Sequence, residues 1–169
     1  MTQFYDAATW QNIPHGTSAC LYGDGRYAAP ADAPKILGLT QYRIITVTGD
    51  YRIAGAIDFE PGNPCYDPRT LRRYVRGRRN SGHRARVYCD RADASEAWHG
   101  LTEGTDTNLR DYAEWWISTL DGTDWTPDEL AADLASRWGA PIPAGKLWGN
   151  QNRGGMTAPY DESNLFGQW

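Results

Sequence analysis

Gly55-Ala56-Ile57-Asp58-Phe59-Glu60 is the stretch from which the rest of the chain is best read. It is predicted to be a buried strand ending in two carboxylates. Side chains alternate across a strand, so Ala56, Asp58 and Glu60 share one face while Ile57 and Phe59 share the other. The two acids then stand roughly 6–7 Å apart on that face, from the rise per residue of a strand. Two carboxyls that close repel when both are ionised, and burial adds to the effect. Their pKa values separate, so that one serves as an acid and the other as a base near neutral pH. The plainer alternative is a strand end whose acids meet solvent or cap the next helix.

Upstream, Tyr42 to Thr48 is rich in β-branched residues and predicts another strand, ended by Gly49-Asp50. The gap to Gly55 is too short for the dozen or more residues of a parallel crossover. The two strands therefore form a hairpin, or one of them lies outside the main sheet. Residues 3–6 and Ser18 to Tyr22 predict two earlier strands. The stretch 28–35, broken by Ala and Pro, predicts no more than a helical turn or two.

Downstream, Asp67-Pro68 opens a helix with a cap and a first-turn proline, running to about Arg79 with Leu71, Tyr74 and Val75 on its apolar face. Strands follow at Arg86 to Asp90, Tyr112 to Ser118 and Lys146 to Gln151, with a short helix over 93–101. Thr126-Pro127-Asp128-Glu129 carries a capping box that starts a further helix, whose buried stripe is Leu130, Leu134 and Trp138. Tyr160-Asp161 opens the tail. Apolar strands alternating with helical segments predict an α/β fold with a mainly parallel sheet. Asp6, Asp58, Glu60, Tyr88, Trp116 and Gln151 fall at or near the carboxyl ends of strands, the edge where such folds build sites.

The chain of 169 residues fits one domain, 1–169, large enough to bury a core. A net charge of −4 argues against a general basic surface for nucleic acid. Eight of the fifteen arginines lie between Arg69 and Arg86. That segment is read as a solvated helix face, or else as a binder of an anionic partner. Three cysteines, Cys20, Cys65 and Cys89, are an odd number with no metal-ligand spacing. His15, His83 and His99 are scattered, so no metal or other cofactor is expected. There is no Gly-x-Ser-x-Gly elbow and no phosphate loop. The segment Met1–Asp6 is not a signal peptide, and no apolar run approaches membrane length. The expectation is a protein made in the cytoplasm that does not insert into a membrane.

The order of the motifs resembles glycoside hydrolase family 25, the muramidases. Phe4-Tyr5-Asp6 with Trp10-Gln11 resembles the family's opening, and Ala56-Ile57-Asp58-Phe59-Glu60 its Asp-x-Glu strand. Val87-Tyr88 resembles the strand with a substrate-side tyrosine, and Trp115-Trp116-Ile117-Ser118 the strand after it. Trp148-Gly149-Asn150-Gln151 resembles an altered Gln strand. Tyr160-Asp161-Glu162-Ser163 resembles the closing aspartate motif in a form associated with actinobacterial phages. The resemblance implies an irregular (β/α) barrel of TIM type, here trimmed, that cleaves the β-1,4 bond after N-acetylmuramic acid in bacterial peptidoglycan. It implies Glu60 as general acid and Asp58 as charge stabiliser or orienter of the substrate acetamide, with Asp6 and Asp161 hydrogen-bonding around the pair. Tyr22, Tyr88 and Trp116 become sugar walls, and Gln151 a further substrate contact. The implied partner is the cell wall, reached as a free lysin or within a phage virion. A catalytically degraded virion protein that keeps the fold for structure, or for binding to the wall or to other virion proteins, stands as the alternative.

Overall fold

A computed structural model describes residues 2–102, 109–155 and 158–168. Eight strands close into one barrel in the order β1-β2-β3-β4-β5-β6-β7-β8. They are β1 (Thr2–Asp6), β2 (Ser18–Tyr22), β3 (Gln41–Thr46), β4 (Ala56–Asp58), β5 (Ala85–Asp90), β6 (Ala113–Ser118), β7 (Leu147–Arg153) and β8 (Asp161–Leu165). Neighbours from β1 to β7 pair in parallel, whereas β8 runs antiparallel to both β7 and β1. The fold is therefore a mixed, mostly parallel α/β barrel.

The strand β8 was not expected beyond the opening of a tail. It pairs antiparallel with β7, so the chain has reversed direction between Arg153 and Asp161. The pairing expected of β3 and β4 is also corrected. They are neither a hairpin nor separated, but parallel, with Ile45 opposite Ala56 and Thr46 opposite Ile57. β4 spans three residues, about 10 Å, while residues 47–55 reach up to about 30 Å when extended. The connector therefore returns to the other end of the sheet without a helix. It is pinned at Thr46, whose Oγ1 accepts from the backbone N–H groups of Thr48, Gly49 and Asp50 at 3.2, 3.0 and 3.3 Å. Asp24, in the loop after β2, accepts from the Val47 N–H at 2.8 Å and from the Thr46 and Thr48 hydroxyls.

Four α-helices are present among the described residues: α1 (Ala33–Ile36), α2 (Pro68–Asn80), α3 (Ala94–Gly100) and α4 (Pro127–Arg137). Asp67 caps α2 by accepting from the N–H groups of Arg69 and Thr70, and Thr126 and Glu129 form the complete capping box of α4. Leu71, Tyr74 and Val75 of α2, and Leu130 and Leu134 of α4, bury against Ile57, Val87, Trp115 and Ile117 on the outer faces of β4, β5 and β6. Trp138, expected in the buried stripe of α4, caps its end half-buried, donating from Nε1 to Asp133 at 3.2 Å. Inside the barrel, Phe4, Tyr88, Trp116 and Trp148 fill most of the space. Their rings meet at centroid distances of 4.6–5.8 Å in tilted and edge-on pairs.

Candidate active site

The parallel strands end at one mouth of the barrel, and a cleft of about 560 Å³ opens there. Tyr22, Asp58, Glu60, Tyr88, Gln151 and Asp161 all line it. Asp58 is the last residue of β4 and 3 % exposed. Its Oδ2 accepts from the Tyr22 hydroxyl at 3.2 Å, while its Oδ1 is buried with no partner among the described residues. The turn that follows is tied to the Asp58 carbonyl oxygen, which accepts from the Cys65 thiol at 2.8 Å and from Asn63 Nδ2 at 3.4 Å.

Glu60 lies beyond the strand, which stops at Asp58, rather than within it. The extended chain continues past that point, since the Phe59 N–H still bonds to the Tyr88 carbonyl at 2.8 Å. The two carboxyls thus reach one cleft by different routes, one from a strand and one from the segment after it. Burial holds both well above the ordinary carboxylate range. The Asp58 charge raises Glu60 further. For Asp58, the hydrogen bond from Tyr22 works against the rise. Tyr88 carries one hydroxyl proton and donates it to Gln151 Oε1. Its phenol thereby ties β5 to β7.

Asp6 and Asp161 are register partners across β1 and β8. Asp161 is half-buried, and its Oδ1 accepts from the Gly155 N–H at 2.6 Å. Gly154 permits this approach: a Cβ there would lie 1.9 Å from the same oxygen, on a backbone with φ of 126°. Asp6, 3 % exposed, sits behind the cleft with Oδ1 unpartnered among the described residues. Burial raises its pKa well above the usual value, and the charges of Asp161, Asp58 and Glu60 add to the rise. The fold therefore gathers all four acids. At neutral pH such a cluster holds protons that isolated carboxylates would have lost.

Trp116 does not line the cleft. It has no exposed surface and packs against Phe4, Tyr88 and Trp148 below, its Nε1 donating to Ser163 Oγ at 3.0 Å. Its place is the floor under the site, not a wall of it, and Trp148 likewise lies in the barrel interior rather than across the opening. Sequence reasoning missed Tyr27, whose ring packs on Tyr22 at 5.5 Å and carries Arg26 at 4.5 Å over its face. Both Arg26 and Tyr27 line the cleft. Their position in the loop after β2, a loop at the carboxyl end of a parallel strand, was the available signal. Asn63 was missed as well.

Among the described residues no group of three or more His, Cys, Asp or Glu side chains is arranged to hold a metal ion. No helix among them is long and apolar enough to cross a membrane. No protein-family model, no curated protein and no solved structure matches this chain.

Proposed function

We propose that the chain is a muramidase-like glycoside hydrolase, built on a trimmed (β/α) barrel of TIM type, that cleaves β-1,4 bonds after N-acetylmuramic acid in peptidoglycan. One observation carries the reading: Asp58, Glu60 and Asp161 meet in an open cleft at the strand ends, with Asp6 buried behind them. Breaking a glycosidic bond needs a proton at the leaving oxygen and negative charge near the anomeric carbon as an oxocarbenium ion develops. Glu60, kept protonated by burial and by its neighbour's charge, delivers the proton. Asp58, hydrogen-bonded by Tyr22, supplies the negative charge or orients the substrate acetamide. Tyr22 and Tyr27 offer the flat surfaces on which a sugar ring stacks.

The pair is active with one proton and one charge. Activity is lost at low pH as Asp58 gains its proton, and at high pH as Glu60 loses its own. Because both carboxyls are raised, the bell-shaped profile is centred near neutrality rather than near pH 4–5. The test is release of reducing sugar from purified cell walls by wild type and by Glu60→Gln. Removal of a general acid lowers the rate by about 10²–10⁴-fold, and full activity in that variant would overturn the assignment. Wild-type protein that binds walls but releases no sugar, with binding kept in Asp58→Asn/Glu60→Gln, would make the fold a wall-binding or structural part of a phage virion.

A further inference from the structure

The opposite mouth of the barrel, where the parallel strands begin, has different chemistry. A cavity of about 640 Å³ opens there, lined by Arg43 of β3, Gly55, Arg78 of α2, and Arg84 and Arg86 at the start of β5, with Arg52 at its edge. These arginines come from separate parts of the sequence, and only the fold brings them together. Carboxylates answer them incompletely. Asp50 pairs with Arg52 at 2.7 Å, and Glu114 of β6 lies 3.3 Å from Arg84 and 3.2 Å from Arg86. Among the described residues Arg78 has no carboxylate partner; its Nε donates to the Arg84 carbonyl at 3.2 Å. Arg86 is seated over Trp148 at 4.7 Å, and its Nε is buried with no hydrogen-bond partner. Leaving Arg43 aside, four guanidinium groups face two carboxylates.

Gly55 borders the same space: a Cβ there would sit in ordinary contact with Arg43 Cδ at 3.8 Å and Arg78 Nη2 at 4.0 Å. Planar guanidinium forks converging on one cavity match the oxygens of phosphate, to which they bond in pairs. The cavity is several times larger than a lone phosphate ion. Exposed Tyr42 and Ile53 on its lining provide apolar contact for whatever carries the phosphate.

We propose that this basin binds a phosphate ester, at the end of the barrel opposite the carboxylate cleft and independently of what that cleft does. The ester is either a small phosphomonoester or the repeating phosphodiester of an anionic polymer. In both, the arginines hold the phosphate oxygens, and Tyr42 with Ile53 borders the organic part.

The test is isothermal titration calorimetry at fixed ionic strength with glycerol 3-phosphate, poly(glycerol phosphate) and inorganic phosphate as probes, and sodium chloride as the control. Saturable binding of an ester probe is expected, at least tenfold weaker in Arg78→Gln/Arg84→Gln. Arg52→Gln, at an exposed position that leaves the fold intact, weakens it severalfold. Arg137→Gln on the remote helix α4 leaves it unchanged. Tighter binding of the monoester identifies a small ligand, and tighter binding of the polymer a chain. Absence of saturable heat with every ester probe, heats reproduced by chloride, or equal binding by wild type and the folded double variant would overturn the proposal.

Discussion

Asp6 shows what the site costs the fold. Its carboxyl is 3 % exposed, one of its oxygens has no partner among the described residues, and its pKa is raised by burial and then by three neighbouring acids. A carboxyl whose pKa is higher in the folded than in the unfolded state binds more protons when folded. Stability is then greatest at low pH and declines as pH rises from the ordinary carboxylate range through the raised one. Asp58, Glu60 and Asp161 share that sign. Urea unfolding of the wild type should accordingly give a lower midpoint at pH 8 than at pH 5. Asp6→Asn removes one of these titrations and supplies an amide donor to the remaining acids. The variant should gain about 1–2 kcal/mol at pH 8, show a flatter pH dependence, and lose activity. A wild-type midpoint that rises from pH 5 to pH 8 would contradict the account. The residue types of this cluster were legible in the sequence, because acids at strand ends are unusual in apolar surroundings. Their environments were not. That Glu60 lies past the end of β4, and that Trp116 lies under the cleft, depends on strand lengths and on ring packing between distant segments.

Among the elements, β4 and β8 mark where sequence patterns lose their force. The capping signals of α2 and α4 were local, so they were readable and correct: Asp67 and Thr126 both accept from their own first turns. β8, Asp161-Glu162-Ser163-Asn164-Leu165, has no apolar alternation to read. Asp161 and Ser163 point toward the site and the barrel interior. Glu162 and Asn164 face outward, beside Gln3, Arg153 and Asp124. The strand forms because β1 and β7 present ladder hydrogen bonds on both sides, not because of its own preference. No helix covers this outer face among the described residues. A polar clasp stands there instead: Asp124, in the loop after β6, accepts from Asn152 at 2.7 Å, Asn164 at 3.0 Å and Arg153 at 3.1 Å. The clasp joins the loop to β7 and to β8, the strand that begins at Asp161. Asp124→Ala should therefore speed hydrogen exchange of the 161–165 amides and reduce activity, while the amides of α2 exchange as before. Equal exchange in β8 of variant and wild type would show that the ladder alone holds the strand.

At the scale of the whole molecule, a barrel with strands of three to seven residues closes around very few side chains, and each of them carries much of the load. The α/β class and the mainly parallel sheet were legible from alternation of elements, whereas closure was not, because it depends on the polar β8. Trp116 shows how the interior compensates. It touches Phe4 on β1, Tyr88 on β5 and Trp148 on β7, and it donates to Ser163 on β8. One ring thus ties four strands together, and it is also the floor of the cleft. Truncation to Ala removes those contacts and leaves a cavity that the short, closed sheet is poorly able to collapse. The expected loss is about 3–5 kcal/mol, a large share of the 5–15 kcal/mol typical of a domain. Trp116→Phe retains most of the packing and forfeits the hydrogen bond. Ser163→Ala leaves the indole N–H buried without its acceptor, for about 1–3 kcal/mol. If the ring and the hydroxyl act as one unit, the double variant Trp116→Phe/Ser163→Ala loses less than the sum of the two single losses, since the unpartnered group exists only in the singles. Urea unfolding of the four proteins measures that difference. Strict additivity would mean that Ser163 and Trp116 stabilise the barrel separately, and that the floor of the cleft is held by packing alone.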